Sequence, residues 1–168
     1  DDAYEFALGK ATGEGLTFIH PFDDPTVIAG QGTIGREIME QVAEPPSAVF
    51  VPVGGGGLIA GIAAWIKQTR PEVRVIGSDP VGSLYAEYAR TGELTEAHTY
   101  LVEGIGDDLL CPSIDLSVID RVIQVTDAEC FHWTRELTRK EGIFAGGSSG
   151  GAVSVALQVA KELPEDKV

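Results

Sequence analysis

Four consecutive glycines, Gly54, Gly55, Gly56 and Gly57, follow directly on the valine-rich apolar run of residues 48–53 and lead into a helix-like segment, residues 58–68. A short unbroken apolar run of this kind is the pattern of a strand buried on both faces of a parallel sheet. Pro71 stands just beyond the helix, and residues 73–77 supply a second buried strand that runs on to Asp79. Strand, glycine turn, helix and strand make one βαβ unit, which is expected to cross over right-handedly. This predicts an α/β fold of three αβα layers around a mostly parallel sheet. A ligand is expected at the carboxyl ends of the strands, where glycine turns meet.

The remaining segments extend the same pattern. Residues 3–11 read as a helix, 16–19 as a short strand and 21–32 as a loop rich in breakers. Residues 34–43 read as a helix stopped by Pro45 and Pro46. A helix over 83–90, a long irregular stretch over 95–117 and a strand over 121–125 follow, and an irregular stretch of that length points to function. Thr126-Asp-Ala-Glu129 has the spacing of a capping box and predicts a helix from 127 to about 140. A second glycine turn, from Gly146 to Gly151, precedes a closing helix over 152 to about 163.

With 168 residues, 43% of them hydrophobic and 23% charged, the chain can build one globular domain with a fringe of another. A net charge of -14 argues against nucleic acid or an anionic membrane as a partner, since both require clustered basic residues. An anion can still be held by backbone N–H groups at a helix start. Cys111 and Cys130 lack CxxC spacing, so free thiols and a reduced, cytoplasmic compartment are expected. No apolar run reaches membrane-spanning length, and the first residues lack the order of a signal peptide. The missing initiator Met leads us to expect a trimmed or truncated chain.

Between a buried strand and a helix, Gly54 to Gly57 form a phosphate cradle by position: bare backbone approaches the anion and the helix dipole favours negative charge. No Gly-Lys-Ser/Thr follows, so a nucleoside-triphosphate loop is a poor fit. A dinucleotide site is the principal rival, because Gly55-x-Gly57-x-x-Ala60 fits the fingerprint and Asp79 lies where a ribose-binding acid belongs. Tight strand-to-helix packing alone would also demand small residues. Likewise, Ser148 and Ser149 could simply cap the last helix. His20, His98 and His132 are scattered without metal-ligand spacing, so no metal site is expected. Ser148 and Ser149 lack the order of a nucleophile elbow.

Two longer motifs carry a resemblance. Pro21-Phe22-Asp23-Asp24-Pro25-x-Val27-Ile28-Ala29-Gly30-Gln31-Gly32-Thr33 and Val51-Pro52-Val53-Gly54-Gly55-Gly56-Gly57-Leu58 resemble threonine dehydratase and serine racemase. Further on, three motifs resemble cystathionine β-synthase and cysteine synthase: Asp79-Pro80-x-Gly82-Ser83, Val102-Glu103-Gly104-Ile105-Gly106, and the stretch from Glu141 to Gly150. All are pyridoxal-phosphate (PLP) enzymes of the tryptophan-synthase-β family, fold type II, and together the motifs span nearly the whole chain. The resemblance implies that Gly54, Gly55, Gly56, Gly57 and Leu58 hold the cofactor phosphate and that the Ser148 hydroxyl meets the pyridine nitrogen. It implies too that Gly104, Ile105 and Gly106 form a loop beside the substrate. A hydroxyl at the nitrogen weakens the electron sink, which favours elimination and replacement over transamination. Asp107 and Asp108 stand where cystathionine β-synthase often has an aromatic after Gly-Ile-Gly, which leaves the substrate unassigned.

The family's Schiff-base lysine belongs to a segment ahead of this chain's first residue. Lys10, Lys67, Lys140, Lys161 and Lys167 read instead as solvated helix faces or tail, so no catalytic residue is identified. The expected chain is a fragment, a chimera or an engineered sequence. Residues 1–30 would be the end of a small domain with its linking loop, and 31–168 part of the PLP-binding large domain. The expected parent activity is PLP-dependent elimination or replacement at the β-carbon of serine- or threonine-like amino acids. The expected assembly is a homo-oligomer or a complementing fragment. An NAD-binding module and a non-catalytic fragment of the same fold stand as alternatives, and the face taken by Asp79 discriminates the first.

Overall fold

A computed structural model describes residues 2–112 and 114–164 of the chain. Three strands, β1 (Ala48–Pro52), β2 (Arg74–Pro80) and β3 (Arg121–Val125), form a wholly parallel sheet in the order β1-β2-β3. The register aligns Val51 with Gly77 and Gly77 with Val122. Helices cover both faces. On one side lie α2 (Pro25–Gln41), α3 (Gly57–Thr69) and α4 (Tyr85–Thr91), and on the other α5 (Asp127–Glu141) and α6 (Gly147–Ala160). The N-terminal helix α1 (Asp2–Glu14) buries only Ala11. Alternation along β2 feeds two cores: Val75 packs with Val53, Ile59, Ile66 and Tyr85 on the α3 side. Ile76 packs with Val102, Ile105, Val125, Cys130 and Val155 on the other.

The three-layer parallel expectation holds, and the strands predicted over 48–53, 73–77 and 121–125 and the helices α3, α4 and α5 form within a few residues of their expected bounds. The capping box at α5 is complete: Thr126 Oγ1 accepts the Glu129 N–H at 3.2 Å, and Glu129 Oε2 accepts the Thr126 N–H at 2.8 Å.

Three expectations are corrected. Residues 16–19 pair with no strand and leave Leu16 and Ile19 exposed. The expected loop over 21–32 is helical from Pro25 onward. Asp24 caps it by accepting the Thr26 and Val27 N–H groups at 2.7 and 3.1 Å, with proline at the first turn. Two of its glycines are packing surfaces, not breaks: a Cβ on Gly32 would meet the Gly61 carbonyl oxygen at 3.2 Å, and one on Gly35 would meet that of Ile62 at 3.2 Å. The closing helix likewise starts at Gly147, with Gly146 as N-cap and no side-chain cap, so Ser148 and Ser149 sit inside its first turn and do not cap it. There Gly150 seats against the Cys130 carbonyl and Thr134, an approach that any side chain would block.

The irregular stretch over 95–117 is confirmed except for a single 3-10 turn, Leu116–Val118; Ser113 within it lies outside the described residues.

Candidate functional site

The glycine turn lies at the carboxyl end of β1 and opens α3. Gly56 takes the left-handed conformation, φ +87°, as the N-cap residue, with no side chain capping the helix. The first N–H groups of α3 are therefore free of side-chain partners at the positive end of the helix dipole. A Cβ on Gly55 would lie 2.5 Å from the Phe22 ring, one on Gly56 would collide with the Ile114 side chain, and one on Gly57 would lie 2.6 Å from the Phe22 carbonyl oxygen. Gly55, Gly56 and Gly57 thus leave no room for a side chain. It borders a recess of about 250 Å³, also walled by Phe22, Gln31, Leu58 and Gly104, with no carboxylate in the lining.

Gly104, Ile105 and Gly106 run beside this turn. The Gly106 N–H donates to the Val53 carbonyl at 2.6 Å, and a Cβ on Gly54 would lie 3.5 Å from the Gly104 carbonyl oxygen. Gly104 and Gly106 both have positive φ, +76° and +79°. Ile105 is buried in the second core, so its side chain anchors the loop from below. On the far side of Gly104 lies a second recess, about 500 Å³, lined by Leu101, Glu103, Phe131, Gly146, Gly147 and Ser148. A Cβ on Gly104 would stand 3.9 Å from Ser148 Oγ. The three motifs, far apart in sequence, meet around one glycine.

Asp79 does not reach the glycine recess. It is fully buried at the end of β2, where its Oδ2 accepts the Ala86 N–H at 2.9 Å and so anchors α4. Burial pushes its carboxyl up to about 6, against the opposing pull of the Ala86 hydrogen bond. The ribose-binding role expected of an acid at this spacing is thereby corrected: the dinucleotide reading loses its second feature. Ser83 Oγ in turn accepts the Asp107 N–H at 3.0 Å and donates to the Asp107 carbonyl at 3.2 Å, tying α4 to the Gly104–Gly106 loop. Burial raises the Asp107 carboxyl as well. It also raises the Tyr100 phenol, with further help from the charges of Asp107, Asp79 and Asp108.

The described lysines lie elsewhere. Lys10 pairs with Glu14, Lys67 with Asp120 at 2.7 Å and Lys140 with Glu136; Lys161 follows the last turn of α6, and Lys167 lies outside the described residues. Among the described residues no three His, Cys, Asp or Glu side chains converge as a metal site, and no helix is long and apolar enough to cross a membrane. His20 was expected to be an ordinary loop histidine. Its Nδ1 accepts the Asp23 N–H at 2.8 Å and fixes the turn that carries Phe22 onto the glycines. The sequence signal for this pair was the histidine–proline–aromatic run that leads into the Asp24-Pro25 helix start.

Fold and site together define an α/β domain with a parallel sheet and a recess, bare of side chains on its glycine wall, at the sheet's carboxyl edge. The family described as pyridoxal-phosphate dependent enzyme matches residues 1–168, and the chain belongs to it. It is 43% identical over 161 residues to the biosynthetic L-threonine dehydratase of Burkholderia multivorans, covering 86% of this chain and 31% of that protein. It is 40% identical over 138 residues to cystathionine beta-synthase of Oryctolagus cuniculus, covering 82% of this chain and 25% of that protein. Among solved structures, the processed form of threonine deaminase isoform 2 from Solanum lycopersicum superposes with a TM-score of 0.83 at 30% identity. That match covers 97% of this chain and 50% of that one. The chain thus spans half or less of the length of these relatives.

Proposed function

We propose that this chain is the cofactor-binding portion of a PLP enzyme that eliminates or replaces the β-substituent of serine- or threonine-like amino acids. The observation that carries the reading is the meeting of Gly54–Gly57, Gly104 and Ser148 at the carboxyl edge of the sheet. The cofactor fits the residues present: the turn offers helix-start N–H groups to a phosphate, and no carboxylate lines the recess to oppose one. PLP, when bound, supplies the electron sink for loss of the β-substituent.

Each of the chain's own groups has a limited task. The backbone of Gly54, Gly55, Gly56, Gly57 and Leu58 holds the phosphate. The Ser148 hydroxyl meets the pyridine nitrogen without a negative charge that would keep it protonated. Gly104 and Gly106, bare of side chains, let the amino acid lie along the backbone, and Ile105 holds that loop down. None of the described lysines is assigned a covalent role. In the whole protein the segment ahead of α2 belongs to the edge of a smaller domain; its linking loop ends at Asp24, short of the expected boundary at residue 30, because α2 begins at Pro25 and packs on α3. Phe144, Leu101 and Leu109 are each strongly exposed apolar side chains, which a homo-oligomer or a complementing segment would cover.

Titration of the purified chain with PLP, followed by absorbance and by displacement with inorganic phosphate, tests the reading. Saturable binding that phosphate displaces is the expected result; binding of NAD without PLP would overturn it. Borohydride reduction followed by peptide mass spectrometry tests the lysines: an adduct fixed on one of them would overturn the assignment of no covalent anchor here.

A further inference from the structure

Phe22 occupies the side of the glycine turn that side chains would otherwise fill. Its ring faces Gly55 and its own backbone faces Gly57, both at distances that a Cβ would violate. One residue therefore presses on two of the four glycines.

Phe22 is itself held from two directions. Upstream, the His20 ring stands edge-on to the Phe22 ring at 4.7 Å between centroids, and His20 Nδ1 accepts the Asp23 N–H. Tyr4 and Phe18 pack against His20 in turn, at 5.7 and 6.2 Å. Downstream, Asp24 caps α2, and α2 lies against α3 through Gly32, Gly35 and Gly61 with almost no gap. The helix that the glycine turn opens is thus the same helix on which the Phe22 segment is seated.

Four glycines in sequence have the largest conformational freedom a chain can have, and an anion site needs its N–H groups fixed in advance. A flat apolar ring against such a turn restricts it and displaces water, and hydrogen bonds strengthen where water is excluded. We propose that Phe22 is a positioning residue of the anion site, its ring standing in for the side chains the turn lacks and fixing Gly54–Gly57 for phosphate. This rests on the reading of the glycine turn as a phosphate site.

Inorganic phosphate and PLP are titrated separately into wild type, Phe22→Ala, Phe22→Leu and, as a control at an exposed aromatic outside that stack, Phe6→Ala. Amide shifts and hydrogen exchange of Gly54–Gly57 are recorded together with melting temperatures. Phe22→Ala is expected to weaken both ligands about tenfold, the ratio that corresponds to about 1.4 kcal/mol. It is also expected to speed exchange at Gly55–Gly57 before any ligand is added, while Phe22→Leu restores most of both and Phe6→Ala changes neither. Unchanged affinity in Phe22→Ala, or an equal loss in Phe6→Ala, overturns the inference while the phosphate reading stands. A wild-type chain that takes neither ligand overturns both.

Discussion

Replacing Asp79 by asparagine is expected to flatten part of the pH dependence of stability. Asp79 is fully buried, Oδ2 accepts the Ala86 N–H, and Oδ1 has no partner. Burial lifts its carboxyl from 3.8 to about 6. The folded chain therefore holds this proton more tightly than the unfolded chain does. The stability so contributed is fully present below pH 3.8 and is lost as pH rises to about 6, then stays flat. At about 1.4 kcal/mol per pH unit the loss is about 3 kcal/mol. In Asp79→Asn the side-chain oxygen still accepts the Ala86 N–H and nothing titrates. The buried amide left without an acceptor lowers stability by a constant amount at every pH. Urea unfolding of both proteins from about pH 4 to about pH 7 then gives a difference that moves by about 2.4 kcal/mol in favour of the variant, or roughly 5–10 °C in melting temperature for a chain of this size. Asp107, Asp24, Glu87 and Asp115, whose carboxyls are also shifted, are common to both proteins and cancel. A difference that stays constant across that range would refute the account of Asp79 as a buried, charge-penalised anchor.

Two further outcomes follow from packing. Gly61→Ala is expected to lower stability by about 1–3 kcal/mol, because its Cβ would collide with the Ile28 carbonyl and the Gly32 N–H where α2 crosses α3; an unchanged urea midpoint would refute the seat described for α2. The Cys130 thiol, fully buried and pushed up to about 11 by that burial, is expected to react with a disulfide reagent near neutral pH only as fast as the chain opens. Immediate labelling of Cys130 in the folded protein, read by peptide mass spectrometry, would contradict its burial.

Much of the sheet was legible because its signals are local. Residues 48–53 and 73–77 are unbroken apolar runs, and Thr126 with Glu129 carries a capping box in four residues. Glycine misled where its role was tertiary. Gly30 and Gly32 read as punctuation in a loop, yet Gly32, together with Gly35, is the contact surface of α2 on α3; Gly150 and Gly151 do the same for α6 on α5. No local pattern separates a glycine that turns the chain from one that admits a neighbouring backbone. Asp79 illustrates the same limit, since a strand-end acid fits a ribose or a buried helix anchor equally well until its face is known. Phe22 lay inside a motif read for its likeness, but nothing in the sequence said that its ring would meet Gly55.

What the structure adds to the motifs is the spacing between them and the reason it is fixed. Gly106 is bonded to Val53 at the end of β1, Asp107 is clamped by Ser83, and Asp79 anchors α4 from the end of β2. The Gly104–Gly106 loop therefore takes its position from two neighbouring strands rather than from its own conformation. Ser148 is set independently, by the seating of α6 on α5 through Gly150 and on the second core through Gly151. Between the glycine turn and Ser148 stands Gly104 alone, in a left-handed conformation that a larger residue would strain. A gap of that kind, with helix-start N–H groups free of side-chain caps at one end and the Ser148 hydroxyl at the other, suits the short rigid cofactor proposed above. A dinucleotide would instead need an acid facing its ribose, and Asp79 is spent on holding the sheet's edge to α4.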